Sequence, residues 1–344
     1  MNATTVGVDL AKNVFEIALA DERGHIVERQ RLTRARFDRF FVNRTGCRIV
    51  MEACGSAHHH ARRLSSQGHE VLLLPAQYAR AYVRRNKTDA ADAAALIEAA
   101  RCPDIRPVPI KSVDQQALQQ LHRLRSQWMA ARTARINFLR GCLREFGVSI
   151  PVGAHRAIQS VREALSNTHG PVPVLLHASL LELLVEIGSL EQRCKHIDRE
   201  LARLNEQDPV VERLLKIPGV GPHTATALRA SVVDVQRFPS ARHFASWLGL
   251  TSREHSSGER RRLGRISKQG DPYLRTLLIH GARAVLLAAR SAQSRGSPLD
   301  RLRIWALDLQ ERRGHNKATV ALANKLARIV WATWRYERDF TSNP

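Results

Sequence analysis

The sequence predicts an α/β N-terminal domain, then a long helical insertion, then an all-α C-terminal region. Three observations predict this. Residues 4–74 alternate β-branched apolar runs with short polar connections, and helical patterns enter only after the third run. Residues 113–146 contain no proline, and no glycine before Gly141, and are rich in Leu, Gln, Ala and Arg. From residue 208 onward the apolar residues recur at three- and four-residue steps, interrupted by Gly/Pro turns.

Residues 4–10 and 13–20 read as two strands joined by a tight turn, and 24–29 as a third. Connections this short make antiparallel hairpins. Residues 35–43 suit a short helix, and 47–52 form a buried strand ending on Glu52. A small-residue turn then leads into a helix closed by Gly68, and another buried strand stops at Pro75. Residues 76–85 and 88–101 read as helices. An antiparallel meander followed by βαβ units is the ribonuclease-H-like, or RuvC-like, order, in which the first and fourth strands are neighbours. Residues 113–146 and about 172–207 read as two long antiparallel helices with a Gly/Pro-containing connection. A plain helical bundle and a coiled-coil partner surface both fit their periodicity. Beyond 208 come a helix–turn–helix over 211–232, a short amphipathic helix over 240–250, a polar arginine-rich loop over 251–271, and helices over 272–290 and 316–339.

The chain has 344 residues and 44% hydrophobic content, enough for two or three domains with real cores. No apolar stretch reaches the roughly 18–20 residues of a membrane span. The five cysteines form no C-x-x-C pair, as expected of reduced thiols and not of a disulfide framework or structural zinc site. The expected location is the cytosol. Lys and Arg number 54 against 32 Asp and Glu, a formal charge of +22. Such a surplus, mostly arginine, implies a polyanionic partner, most simply nucleic acid. Aromatics are only 5%, so phosphate contact outweighs base stacking.

Three constellations carry chemistry. Asp9 ends the first strand and Glu52 the fourth; Asp89 and Asp92 share one face of a helix at i and i+3. In a ribonuclease-H-like sheet the four carboxylates converge. Two charges at about 4 Å repel by about 4 kcal/mol at an effective dielectric near 20, and a divalent cation such as Mg²⁺ relieves this. An Asp-bearing hairpin such as "GVDLAK" also occurs around ATP phosphates, but a second Gly-rich phosphate hairpin is not found after residue 110, nor is there a P-loop. Second, "IPGVGPHTATAL" has a helix-hairpin-helix pattern in which Gly219 and Gly221 let backbone N–H groups approach a phosphate. Third, Ser257-Gly258 precedes Arg260, Arg261, Arg262, Arg265 and Lys268, a guanidinium cluster able to hold a phosphodiester under attack. Ser256 and Ser267 compete with Ser257 for the nucleophile's role. Arg84, Arg85 and Lys87 add a basic run ahead of Asp89. His58, His59 and His60 read as helix surface near the acids, because adjacent helical positions cannot share one metal.

"GVDLAKNVFEIAL", "MEACGSAHHHARRL", "VLLLPAQYARAYVRRNKTDAADAAAL", "IPGVGPHTATAL" and "FASWLGLTSREHSSGERRRLGRISKQGDPYLRTLLIHGA" occur in that order. Together they resemble the insertion-sequence transposases with a DEDD motif, relatives of the Piv-type DNA invertases and of bridge-RNA-guided recombinases. The resemblance implies a RuvC-like DEDD domain over 1–112, a helical coiled-coil region over 113–207, and a C-terminal transposase domain over 208–344. It implies that Asp9, Glu52, Asp89 and Asp92 bind Mg²⁺, and that Ser257 attacks DNA to form a covalent phosphoserine link. It further implies DNA element ends and target as substrates, a structured guide RNA, and a homodimer that assembles into a tetramer with a site composed from two protomers. The competing reading of the same residues is a RuvC-like structure-selective nuclease that uses water. A non-enzymatic reading is an architectural nucleic-acid-binding protein.

Overall fold

The computed structural model describes residues 4–83, 89–205 and 208–341, without the side chains of Asp89 and Asn205. Arg84, Arg85 and Lys87 lie outside the described residues. The chain divides into two compact units, Met1–Val113 and Asp114–Pro344. No helix among the described residues is long and apolar enough to cross a membrane.

The first unit is a five-stranded mixed sheet. Strands β1 (Thr5–Asp9), β2 (Val14–Ala20) and β3 (Ile26–Thr33) form the antiparallel meander that the short connections predict. Helix α1 (Arg34–Phe40) is capped by the Thr33 hydroxyl and leads to β4 (Arg48–Glu52). Then follow α2 (Ala57–Ser66) and β5 (Glu70–Leu74). Both β1–β4 and β4–β5 are parallel, so the order is β3-β2-β1-β4-β5, with the first and fourth strands adjacent. Helix α3 is only Ala76–Ala79, continued by a single 3-10 turn at Arg80–Tyr82, and α4 (Asp89–Ala100) completes the unit.

Strand alternation assigns the two faces. Val6, Val8, Phe15, Ile17, Leu19, Ile49 and Met51 point to the side covered by Phe37 and Phe41 near α1 and by Ala57, Ala61 and Leu64 of α2. The opposite residues face α4: Ala18 and Ala20 meet Ala93 and Ile97, while Val50 and Leu74 meet Leu96 and Ala99. Gly7 lies directly beneath α4. A Cβ there would stand 2.2 Å from the Ala93 carbonyl oxygen and 2.9 Å from Ile97 Cγ1.

The three histidines do not share one environment, which corrects their reading as helix surface. His59 is exposed and His58 half-buried, but His60 is buried with Ala57, Ala61 and Leu64 on the inward face of α2. Its ring packs edge-on to Phe15 and Phe37 at 5.3 and 5.5 Å, and neither ring nitrogen has a hydrogen-bond partner.

The second unit opens with α5 (Val113–Glu145). Helix α6 (Ala154–Ser166) forms inside the segment expected to be a Gly/Pro connection, and α7 (Val174–Asn205) returns along α5. Arg125–Asp198, Arg132–Glu191 and Arg135–Glu186 pair at 2.5, 2.5 and 2.8 Å, a descending series that fixes the antiparallel register. Helices α8 (Pro209–Leu215) and α9 (Pro222–Ser231) flank the glycine turn, and α10 (Ala241–Trp247) follows. The arginine-rich segment then differs from expectation. Strands β6 (Ser252–Glu254) and β7 (Leu263–Ile266) make an antiparallel hairpin, so this region is not all-α. Helices α11 (Pro272–Ser294), α12 (Arg301–Arg313) and α13 (His315–Arg335) close the fold, with Leu278, Ala282 and Leu286 packed among Leu322, Leu326 and Val330.

A buried polar knot ties α5 to α9 and α11. His122, 3% exposed, places Nε2 3.0 Å from the Thr226 hydroxyl and Nδ1 3.0 Å from the Tyr273 hydroxyl. Burial, aided by the neighbouring His223 and Arg125, pushes the His122 pKa down to about 4. Burial likewise pushes His60 down to about 4, with His59 and Arg63 adding to the effect.

These two imidazoles make the fold acid-sensitive. Both native pKa values lie below the unfolded value near 6.5, so the unfolded chain takes up protons first as pH falls. Stability is therefore unaffected above about pH 6.5 and declines toward pH 4, by on the order of 3 kcal/mol per group. Urea unfolding across this range should show that decline, with a shallower slope in His60→Phe; identical slopes would remove His60 from the account. Separately, Gly7→Ala should cost about 1–3 kcal/mol or more through overpacking against α4, read as a lowered urea midpoint.

Candidate active site

The sheet places two of the predicted acids side by side. Register pairs Val8 with Met51, so Asp9 and Glu52 end adjacent parallel strands one step further on. Alternation puts Asp9 on the face of Gly7, and Glu52 on the face of Val50, which is the face covered by α4. Asp9 is half-buried, not enclosed, as are Glu52 and Asp92. The turn Ala53–Ser56 is tied back by the Ala53 amide to Leu74 O and ends with Ser56 in the left-handed region at φ 68°. The Cys54 thiol reports the negative field here: its pKa is raised by burial first, then by the charges of Glu52 and Asp9.

Asp89 opens α4, one turn before Ala93, and Asp92 immediately precedes Ala93, the residue whose carbonyl lies over Gly7. The side chain of Asp89 is outside the description. Among the described residues, no three His, Cys, Asp or Glu side chains close on one point as metal ligands. The donor set is nevertheless all oxygen, the chemistry a hard divalent cation such as Mg²⁺ takes.

Sequence reasoning missed Glu16. It stands directly opposite Asp9 on β2, on the same face as Ala18 and Ala20, and pairs with Arg31 at 3.2 Å. The signal was present in the alternation of "FEIALA", where Glu16 is the one charged residue of the strand.

The arginine-rich segment is organised by close backbone contacts at its base. Gly249, at φ +69°, and Gly270, at φ +101°, could not carry side chains: Cβ atoms there would stand 2.0 Å from Gln269 O and Trp247 O. The Lys268 amide donates to Gly249 O at 3.1 Å, and Lys268 itself is held at φ 54°, an uncommon conformation for a residue with a Cβ. Asn324 of α13 donates to Leu250 O at 3.0 Å. A rigid base thus carries an exposed tip.

At that tip the serines differ. The Ser256 hydroxyl donates to Glu254 Oε1 at 2.7 Å and accepts from the Arg262 amide at 3.1 Å, so it holds the hairpin together. Glu254 is lowered in pKa by that hydrogen bond and by Arg261, which makes it a weak base. Ser257 is exposed; its backbone pairs with Arg260 at 3.3 and 3.2 Å, and its hydroxyl has no partner among the described residues. Ser267 lies in the hairpin base, its amide bonded to Thr251 O. Gly258, at φ +56°, makes the turn beside Ser257 with nothing within 4 Å of an added Cβ. Arg260, Arg262, Arg265 and Lys268 are exposed and make no ion pair among the described residues, whereas Arg261 is engaged by Glu254.

The two glycines of the helix turn also differ. Gly219, at φ +81°, packs against α11: its Cβ would lie 2.8 Å from Gly281 O, and that of Gly281 1.9 Å from Gly219 O. Gly221 caps α9 with no side-chain hydrogen bond and open space around it. Packing therefore accounts for Gly219, while Gly221 leaves the start of α9 approachable.

Two family models match this chain, a "Transposase" model of the DEDD type over residues 6–148 and "Transposase IS116/IS110/IS902 family" over 211–296. The first span covers the acids, and the second covers both the glycine turn and the serine hairpin. Relatives share most of the length. A Pseudomonas aeruginosa protein named "Probable family 20 transposase" is 44% identical over 96% of this chain and 97% of its own. The transposase for insertion sequence element IS1111A of Coxiella burnetii is 39% identical over 95% of this chain and 88% of its own. The transposase for insertion sequence element IS1328 of Yersinia enterocolitica is 36% identical over 96% of each chain. The class defined is a DNA transposase/recombinase. The chain belongs to the IS110/IS116 family of transposases.

The division of labour between the serines is testable by stability alone. Ser256→Ala removes two hydrogen bonds worth about 0.5–1.5 kcal/mol each and should loosen the hairpin. Ser257→Ala should leave stability within about 0.5 kcal/mol of the parent. Amide hydrogen exchange of residues 252–266 reads the difference, and equal protection in both variants would contradict it.

Proposed function

We propose that this transposase cuts and rejoins insertion-element and target DNA through a covalent phosphoserine intermediate formed on Ser257. The observation that carries the reading is the exposed Ser257 hydroxyl, without a partner among the described residues, at the tip of the hairpin next to Arg260 and Arg262. In the reaction Ser257 Oγ forms a bond to phosphorus, the phosphorus–oxygen bond to the neighbouring deoxyribose breaks, and that oxygen takes up a proton. Ser257 needs a base or water to take its own proton, a transfer that a bound metal would ease by lowering the hydroxyl's pKa, because a serine hydroxyl is a poor nucleophile. Its surroundings offer guanidinium groups to hold the phosphate and offset the charge building on it.

Asp9, Glu52, Asp89 and Asp92 are proposed as the Mg²⁺ ligands of a RuvC-like domain; when bound, the metal supplies Lewis-acid activation of the phosphodiester. The adjacency of Asp9 and Glu52 and their all-oxygen chemistry support this. Arg84, Arg85, Lys87, Arg260, Arg261, Arg262, Arg265 and Lys268 are proposed to hold phosphates, and the turn bearing Gly219 and Gly221 to form an auxiliary phosphate hairpin. Family resemblance supports a structured guide RNA and a homodimer that joins into a tetramer in the bacterial cytosol. The long helices offer such an interface: Phe138, Leu175 and Val185 are 60%, 89% and 73% exposed.

Labelled element-end DNA incubated with protein, guide RNA and Mg²⁺, then run under denaturing conditions, tests the chemistry. The parent should yield a protein–DNA adduct, and Ser257→Ala none. Cleavage persisting in Ser257→Ala without an adduct would identify a nuclease that uses water. Asp9→Asn should abolish cleavage while retaining DNA binding.

A further inference from the structure

We infer that a groove in the C-terminal unit, bounded by the serine hairpin and helices α10 to α13, binds single-stranded DNA. This rests on the transposase reading and deepens it by naming the strand structure held beside the hairpin.

The groove encloses about 1520 Å³. Its rim carries Arg242, Arg265, Lys268, Lys317, Lys325 and Arg328, and none of the six pairs with a carboxylate among the described residues. The one acid in its lining, Glu254, is already engaged by Ser256 and Arg261. On α13, Lys317, Ala321, Lys325 and Arg328 repeat at helical spacing, so three cations, interrupted by Ala321, share the face that lines the groove. Lys325 lies over the Trp305 ring at 4.2 Å, and its pKa is lowered by burial and by Arg328. Crowded like charges of this kind are relieved by an anion.

The floor is apolar, with Ile266, Ile279, Trp305, Val320 and Ile329. A cationic rim above an apolar floor matches a strand whose phosphates lie outward and whose bases turn in, which a duplex cannot present. DNA is favoured over RNA because one wall of the groove is the hairpin that bears Ser257.

The test uses the full chain in EDTA, where no cutting occurs, with fluorescein-labelled dT20, a 20-base-pair duplex, U20 and poly-glutamate. Lys317 and Arg328 are exposed, so Lys317→Gln/Arg328→Gln should fold normally, checked by melting temperature. The double variant should bind dT20 on the order of tenfold more weakly, and its log K against log salt slope should fall by about 1.4, two contacts at 0.7 each. Duplex affinity should hold within about twofold. Trp305→Leu, which keeps the floor apolar, should weaken dT20 several-fold without changing the salt slope. The inference is overturned by unchanged dT20 binding in the double variant. It is also overturned if duplex affinity drops equally, or if U20 or poly-glutamate outcompetes dT20 for the parent and loses affinity in the variant while dT20 does not. A Ser257-dependent adduct that persists alongside any of these results would leave the transposase chemistry standing and remove only the groove.

Discussion

Much of the N-terminal unit depends on how closely α4 lies on β1. Only a glycine at position 7 admits the Ala93 carbonyl, so the helix sits against the strand with no intervening side chain. That contact fixes the height of the turn carrying Asp89 and Asp92 over the sheet face where Asp9 and Glu52 end. Electrostatics opposes such a gathering, and Glu16 beside Asp9 adds to the opposition, offset in part by Arg31. Packing supplies the compensation. The opposite face of the same strands buries Phe15, Ile17, Ile49 and Met51 completely, each worth about 1.5–3 kcal/mol. The strand ends that carry Asp9 and Glu52 are therefore held in place by the packing of the alternate residues on the other face of the sheet.

The same device recurs in the C-terminal unit. Gly219 meets Gly281, and Gly249 meets the Gln269–Gly270 segment, each as backbone against backbone. The first seats the glycine turn on α11; the second clamps the base of the serine hairpin. Rigid bases and exposed tips suit catalysis on a polymer, because the tip can enter the substrate while its position is set from behind. Ser256 contributes to the clamp through Glu254 and the Arg262 amide, and so leaves the neighbouring hydroxyl of Ser257 uncommitted.

The sequence made the strand order and the long helices legible, because both rest on repeating apolar patterns. β1 and β4 read as strands from β-branched runs, and their adjacency was expected from the ribonuclease-H-like order of a meander followed by βαβ units. The misses share a different cause. The β6–β7 hairpin is largely exposed and its strands hold only Leu263 and Ile266 as apolar residues, so no alternation marks it; its shape comes from glycine contacts and side-chain bonds. Helix α12, "RLRIWALDLQERR", has no coherent apolar face, and α6 hid in a segment judged by its flanking Gly and Pro. His60 looked like surface beside two other histidines, yet the i+4 spacing from His60 to Leu64 already assigned it to the buried side. For Gly219 the sequence suggested phosphate contact, while its packing against Gly281, 62 positions on, was visible only in three dimensions.

The charge of the chain gains meaning from where it is neutralised. In the helical hairpin, Arg125, Arg132 and Arg135 are matched one for one by Asp198, Glu191 and Glu186, so those arginines serve register. In the serine hairpin and along α13 the cations outnumber acids, and all but Arg261 go without a carboxylate partner among the described residues. Unmatched like charges raise the energy of the compact state, and nothing in packing requires them at exposed positions such as Lys317, Arg328, Arg260 and Arg265. Their repulsion is relieved when a polyanion brings phosphates and gives up its counterions. The 54 basic residues are thus of two kinds, some matched by acids and structural, others unmatched at exposed positions, where they are available to a polyanion. The second is concentrated around the hairpin that carries the free serine hydroxyl.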